Sequence, residues 1–265
     1  MRLGLVVLLA LACGCTTQQP STPVEAVVMP YAGNRAWLSI GLTAVNPAVY
    51  GDSKPCPGAD VDSLGLYGDA VAAGYKAVLL QNKTANWPRI KQEAFALVSN
   101  FLPNDLLVIS MSGHGGWVVD DNGDEPSGMD STLCFWDVNL RDDRFKLELL
   151  TPLSVLVPGL RVVLISDQCH AAGNFKAIVS MKPMRDVGFP LALIQIAGSR
   201  EDSYSYGMST GGTCTQTLRA ILKRGNATWL TLFVDAKALM PSMQPIQWVE
   251  FGHVDDAFRF ERVLR

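Results

Sequence analysis

The sequence predicts an α/β fold with a mainly parallel sheet flanked by helices. Three observations carry this. Short apolar runs alternate with segments of helical periodicity. Two of the runs, DLLVISM and LRVVLIS, are continuously apolar, as strands are when helices cover both faces of a sheet. No internal repeat or flexible linker divides the chain after residue 35.

The elements follow in order. Residues 36–42 (AWLSIGL) read as a strand. Residues 62–73 place Leu64, Leu66, Val71 and Ala72 at helical spacing. Residues 76–80 (KAVLL) are a second strand. Residues 87–102 carry Trp87, Ile90, Ala94, Phe95, Leu97, Val98 and Phe101 on a helical face, and Pro103 with Asn104 stops it. Residues 105–111 and 160–166 are the two buried strands, with a helix over 142–156 between them. A strand over 190–197, helices over 212–224 and 228–239 and a last strand over 247–251 complete the series. In such sheets function gathers at the carboxyl ends of the strands.

Composition excludes several classes. The chain has 265 residues, 48% hydrophobic and 18% charged, which is too apolar for a disordered chain. With 22 Lys+Arg against 25 Asp+Glu, no nucleic-acid partner is expected. Six cysteines in this length do not make a disulfide-knot scaffold.

Residues 1–15 read as a signal peptide: Arg2, an apolar run over 3–12, then small residues. The run is shorter than the roughly 20 residues needed to span a bilayer. Its end, Ala10-Leu11-Ala12-Cys13-Gly14-Cys15, resembles a bacterial lipoprotein box, with Cys15 or Cys13 as lipid acceptor; an ordinary cleaved signal is the alternative. Residues 16–34, rich in Thr, Gln and Pro, read as a tether before a domain over 35–265. The expected location is therefore the periplasm or cell envelope, with membrane attachment through an N-terminal lipid. Export permits disulfides, and a Cys56–Cys134 or Cys134–Cys214 bridge is compatible with the sequence.

Two strand ends carry chemistry. DLLVISM runs into Ser112-Gly113-His114-Gly115, and LRVVLIS runs into Asp167-Gln168-Cys169-His170. A crossover helix can bring such parallel strands side by side. Only a thiolate attacks well, and an imidazole nearby can take the thiol proton. Glycines beside His114 leave backbone N–H groups unobstructed, and those of Gly115 and Cys169 are candidate donors to an oxyanion. Of the three histidines, His170 reads as structural and His253 as a surface residue.

These blocks resemble the metacaspases, caspase-like cysteine peptidases, over roughly residues 36–250. Ser112-Gly113-His114-Gly115 is similar to the family's histidine block. Asp167-Gln168-Cys169-His170-Ala171-Ala172-Gly173 is similar to its Asp-x-Cys-His-Ser-Gly block, with Ala171 in place of Ser. Residues 57–62 (PGADVD), the acidic stretch 121–137, the pair Asp142-Asp143 and residues 197–206 (AGSREDSYSY) resemble further family segments in the right order. Tyr206 follows Ser205 where the family has Ala-Asp.

The resemblance implies a caspase-like three-layer sandwich. It implies peptide hydrolysis through an acyl-enzyme, with Cys169 as nucleophile and His114 as general base and acid. It also implies cleavage after Arg or Lys, with Asp62, Asp167 and Ser205 in the substrate pocket. Paired carboxylates suit a guanidinium. Asp62 can equally be read as a helix N-cap, and Asp167 as a strand-end turn residue.

No cofactor is needed for that chemistry, but many members of the family require calcium. Asp130, Asp142 and Asp143 match three ligand positions, while Asn174 and Lys176 stand where a fourth acid is wanted. Asp142 and Asp143 can alternatively cap a helix. Arg141, Arg144 and Lys146 are available for self-cleavage. Two other functions stay open: a degenerate homologue that binds peptides without cutting them, and a His/Cys peptidase with a different pocket preference.

Overall fold

The computed structural model describes residues 33–123, 127–173 and 191–264. The signal and nearly all of the tether lie outside these residues, as do Asn174 and Lys176.

The chain opens with β1 (Arg35–Gly41), a short α1 (Pro47–Tyr50), α2 (Ala59–Ala72), β2 (Lys76–Gln81), α3 (Trp87–Val98) and β3 (Leu106–Ser112). A small antiparallel sheet follows: β4 (Gly115–Val119), β5 (Met129–Cys134) and β6 (Asn139–Arg141). Next come α4 (Asp142–Phe145), a π-helical turn (Lys146–Leu150), α5 (Thr151–Leu156), β7 (Arg161–Asp167) and β8 (Ala192–Ala197). A two-stranded ribbon, β9 (Gly207–Met208) with β10 (Gly211–Gly212), precedes α6 (Thr213–Leu222). The chain then adds α7 (Trp229–Leu239), β11 (Gln247–Phe251) and α8 (Asp256–Arg259).

The main sheet has six strands in the order β11-β8-β7-β3-β1-β2. All pairs are parallel except β11 with β8. Alternation along each strand explains why the runs are continuously apolar. Leu38, Ile40, Leu107, Ile109, Val162 and Leu164 point to one face, which is covered by Trp87, Ile90 and Leu97 of α3 and by Phe145, Leu149 and Leu153. Trp37, Leu106, Val108, Val163, Ile165 and Ile194 point to the other, covered by Leu66, Leu218, Leu222, Trp229 and Leu232. Each fully buried Leu or Ile contributes about 1.5–3 kcal/mol, so both faces anchor the sheet.

Several expectations are corrected. The helix expected over 62–73 starts earlier, at Ala59, with Gly58 as its N-cap. Gly58 has φ 91, and a side-chain carbon there would overlap the Met208 carbonyl oxygen, so glycine is required. Asp62 therefore lies a turn inside α2 and is not the cap. α3 ends at Val98, short of Leu102, where Ser99 Oγ donates back to Ala96 O at 3.1 Å. Residues 142–156 are helical as expected, but with a π turn before Pro152. Proline lacks the N–H that would bond residue 148, and its ring crowds that carbonyl; the wider turn relieves both.

The stretch 121–137 is not one acidic loop. Most of its second half is β5, which pairs with β4 and β6. Asp142 and Asp143 form the first turn of α4 and complement its dipole, while the N-cap is Arg141, with no side-chain cap bond. Cys56, Cys134, Cys169 and Cys214 are all free thiols, so neither anticipated bridge is present. Lys146 is buried and Arg141 ends a paired strand, which suits neither to self-cleavage.

Candidate active site

The site forms where β1, β3 and β7 end together. Their register pairs Gly41 with Ser112 and Ser112 with Asp167. His114 lies two residues past Ser112, and Cys169 two past Asp167. The two blocks, distant in sequence, therefore meet at adjacent parallel strand ends. Both side chains line one cavity of about 270 Å³, together with Cys56, Asp62, Ser112, Asp167, Ser205 and Tyr206.

The loops that carry them are tied to each other. Gln168 Nε2 donates to the His114 carbonyl at 2.9 Å. Gly115 begins β4 beside the Cys169 carbonyl oxygen, which any side-chain carbon at residue 115 would overlap. The backbone at His114 and Gly115 thus packs directly on that of Gln168 and Cys169.

His114 Nε2 lies 2.8 Å from the Lys54 carbonyl oxygen. A carbonyl only accepts, so this ring nitrogen carries the hydrogen and Nδ1 is left as the basic one. Cys169 is half-buried, and its Sγ lies 3.9 Å from the Ser205 carbonyl oxygen. Burial raises its thiol above the ordinary range, and the Asp167 charge raises it further. A thiol raised in this way stays protonated unless a base takes its proton. Cys56 shares the cavity, and burial together with the charges of Cys169, Asp167 and Asp62 pushes it up to about 11.

The acidic end of the cleft is built from two buried carboxylates. Asp62 is fully buried and accepts from Ser112 Oγ at 2.8 Å, Gly212 N at 2.8 Å and Gln216 Nε2 at 3.0 Å. Asp167 accepts from Thr215 N at 2.8 Å and from the Ser205 hydroxyl. Burial drives both upward; Asp62 reaches about 6, with the neighbouring Asp167 charge as the second cause. Two acids held this close in a cleft favour a cation between them.

Sequence reasoning did not find the amide side chains that hold this pocket. Gln244, fully buried after α7, donates to Gly198 O and to Ser205 Oγ and accepts from Tyr206 N at 2.9 Å. Gln216 and Gln168 are the other two. Nothing in their local sequence marks them, because each acts through tertiary placement. Ser112 was legible in principle, since it precedes Gly-His-Gly at the strand end.

His170 takes a left-handed backbone, φ 60, and its ring packs against Trp117 and Tyr204 while Nδ1 faces the Glu201 carbonyl at 2.7 Å. It is structural, as expected, and His253 is exposed.

The proposed calcium ligands do not fit an ion as they stand. Among the described residues, no group of three or more His, Cys, Asp or Glu side chains could hold a metal. Arg141 Nε lies 3.3 Å from Asp130 Oδ2, and Asp143 accepts from Asn122 Nδ2 at 2.6 Å.

Comparison with known proteins follows the same line. The family model for the metacaspase, peptidase C14 domain matches residues 74–177, which include His114 and Cys169. Over that stretch the chain is similar to the metacaspases. Metacaspase-1 of Kluyveromyces lactis is 30% identical over 170 residues, covering 58% of this chain and 37% of that protein. Metacaspase-1 of Eremothecium gossypii is 40% identical over 79 residues, 28% of this chain and 17% of the relative. The metacaspase-like chain thus spans little more than a third of the first of these relatives and less of the second. Among solved structures, protein GSU0716 from Geobacter sulfurreducens superposes with a TM-score of 0.72 at 23% identity, covering 87% of this chain and 98% of that one. Caspase-1 from Spodoptera frugiperda gives 0.50 at 14% identity, covering 86% and 91%. Both likenesses are of fold, and the second is to the caspase α/β fold.

Proposed function

We propose that this chain is a cysteine endopeptidase that uses His114 and Cys169 and cleaves after Arg or Lys. One observation carries the reading: His114 and Cys169 line a single cleft that also contains the buried carboxylates Asp62 and Asp167. The substrate's cationic side chain enters between these acids, where Ser205 and Gln244 hold the Asp167 side. The scissile carbonyl then lies at Cys169. His114 Nδ1 removes the thiol proton as sulfur attacks the carbonyl carbon. The oxyanion forms opposite the backbone N–H groups of Gly115 and Cys169. Collapse of the tetrahedral intermediate expels the amine, which takes the proton from His114, and leaves a thioester. His114 next deprotonates water, which attacks the thioester and restores the thiol.

The entering cation also acts on the nucleophile. Asp167 is one reason the Cys169 thiol is raised. A guanidinium beside Asp167 offsets that charge and makes the thiolate easier to form. The correct substrate thereby assists its own cleavage.

Export and lipid attachment at Cys15 belong to the same proposal and rest on residues 1–34 alone. The test of specificity is a panel of fluorogenic peptides ending in Arg, Lys or Asp. Arg and Lys peptides are expected to turn over at least about a hundredfold faster than Asp peptides, the order of one buried charge contact. Preference for Asp contradicts the basic pocket, and no turnover of any peptide favours a binding module.

A further inference from the structure

The disagreement between the acidic cluster and a calcium site has a physical cause on the chain itself. We propose that the Arg141 guanidinium is the resident cation of this cluster, so that the chain neither binds nor needs calcium there.

Asp130 is fully buried near the start of β5, and a buried carboxylate must be neutralised or coordinated. Arg141, at the end of the neighbouring β6, brings Nε to 3.3 Å from Asp130 Oδ2 and pairs through its terminal nitrogen with Asp121. A divalent ion on that Asp130 oxygen would stand beside a fixed positive charge, and calcium wants six to eight oxygens around it. Lys146 is also buried, four residues after Asp142, the spacing that sets two side chains on one helical face. It places a second cation in the same region. In the sequence, Lys176 stands where the fourth acid of a calcium site would be needed. Among the described residues, Arg141 and Lys146 thus bring positive charge to these acids, where a divalent ion would otherwise have to supply it.

Binding is measured by calorimetric titration of calcium chloride into the purified chain and by thermal unfolding in EGTA and in millimolar calcium. These readouts do not depend on peptidase activity, so they stand or fall separately from the proposed function. The wild type is expected to give no binding heat and a Tm shift below about 1 °C. Micromolar binding would shift Tm on the order of 10 °C and would overturn the proposal. Arg141→Gln is expected to lower Tm in EGTA by about 5 °C and to regain part of this loss in calcium. An Arg141→Gln Tm equal to wild type in EGTA overturns the role of Arg141. Should that variant not fold, Arg141→Lys keeps the charge and is expected to fold and ignore calcium; a calcium-dependent Tm in Arg141→Lys also overturns it.

Discussion

Replacing Cys169 with alanine is expected to lower kcat/KM on arginyl peptides by about 10⁴-fold or more, the scale of removing a nucleophile that acts as a unit with its base. Stability should hardly change. Cys169 is half-buried, and the contact of its sulfur with the Ser205 carbonyl, at 3.9 Å, is weak. Substrate binding should survive, because the acids of the pocket are untouched. The measurement is steady-state turnover alongside thermal unfolding. Cys56 lines the same cavity, but its thiol is pushed up to about 11, which keeps it neutral and poorly nucleophilic at neutral pH. The Cys56→Ser change in the Cys169→Ala background should therefore remove no further activity. Loss of a residual rate in that double variant would show Cys56 acting as a nucleophile and would contradict the assignment.

Asp62→Asn separates function from structure by moving them in opposite directions. Loss of one carboxylate from the cationic pocket is expected to cost about a hundredfold in kcat/KM on arginyl peptides. Stability should rise at neutral pH, and the sign follows from linkage. Asp62 is raised to about 6 in the folded chain from an ordinary value of 3.8. Between those values the folded state holds a proton that the unfolded state has lost. Stability therefore falls as pH climbs through that window, by at most about 3 kcal/mol for two pKa units.

Asparagine carries no such penalty. Its carbonyl oxygen can still accept from Ser112 and Gly212, and a turned Gln216 amide can accept from its nitrogen. The variant should thus be more stable than wild type at pH 8. The difference should fade as pH falls through about 6 and vanish near 4. Thermal unfolding across that range is the check. A variant less stable at pH 8 would mean that Asp62 is held for structure and not for substrate.

Much of the sheet was legible because its signal is local. Residues 106–112 and 161–167 are buried on both faces, and that burial writes itself as runs dominated by Leu, Val and Ile. The ends of helices were less legible. Gly58 begins α2 in a left-handed turn because Met208 approaches it, and Met208 is 150 residues away. The small sheet of β4, β5 and β6 was missed for another reason. β4 opens with two glycines and goes on with half-exposed and exposed residues, so no buried apolar run announces it.

That His114 and Cys169 would meet in one cleft was legible from two strand ends and their glycine or cysteine context. The site's scaffold was not. Gln168, Gln216 and Gln244 are ordinary amides in sequence and acquire meaning only when the fold sets them against His114, Asp62 and Ser205. Likewise Asp62 looked like a cap because it opens an apolar period, whereas its carboxylate turns to Gly212 across the cleft.

The central claim is that one cleft combines the Cys169 nucleophile with a pocket for a basic side chain. An arginine-bearing peptidyl acyloxymethyl ketone reads both at once, since only a thiolate aligned by a bound arginine is alkylated efficiently. After incubation with the purified chain, digestion and mass spectrometry locate the adduct. Cys169 should be labelled, Cys56, Cys134 and Cys214 should not, and an aspartate-bearing analogue should label none of them. Modification of Cys56 in preference to Cys169, or equal labelling by the aspartate reagent, would contradict the account.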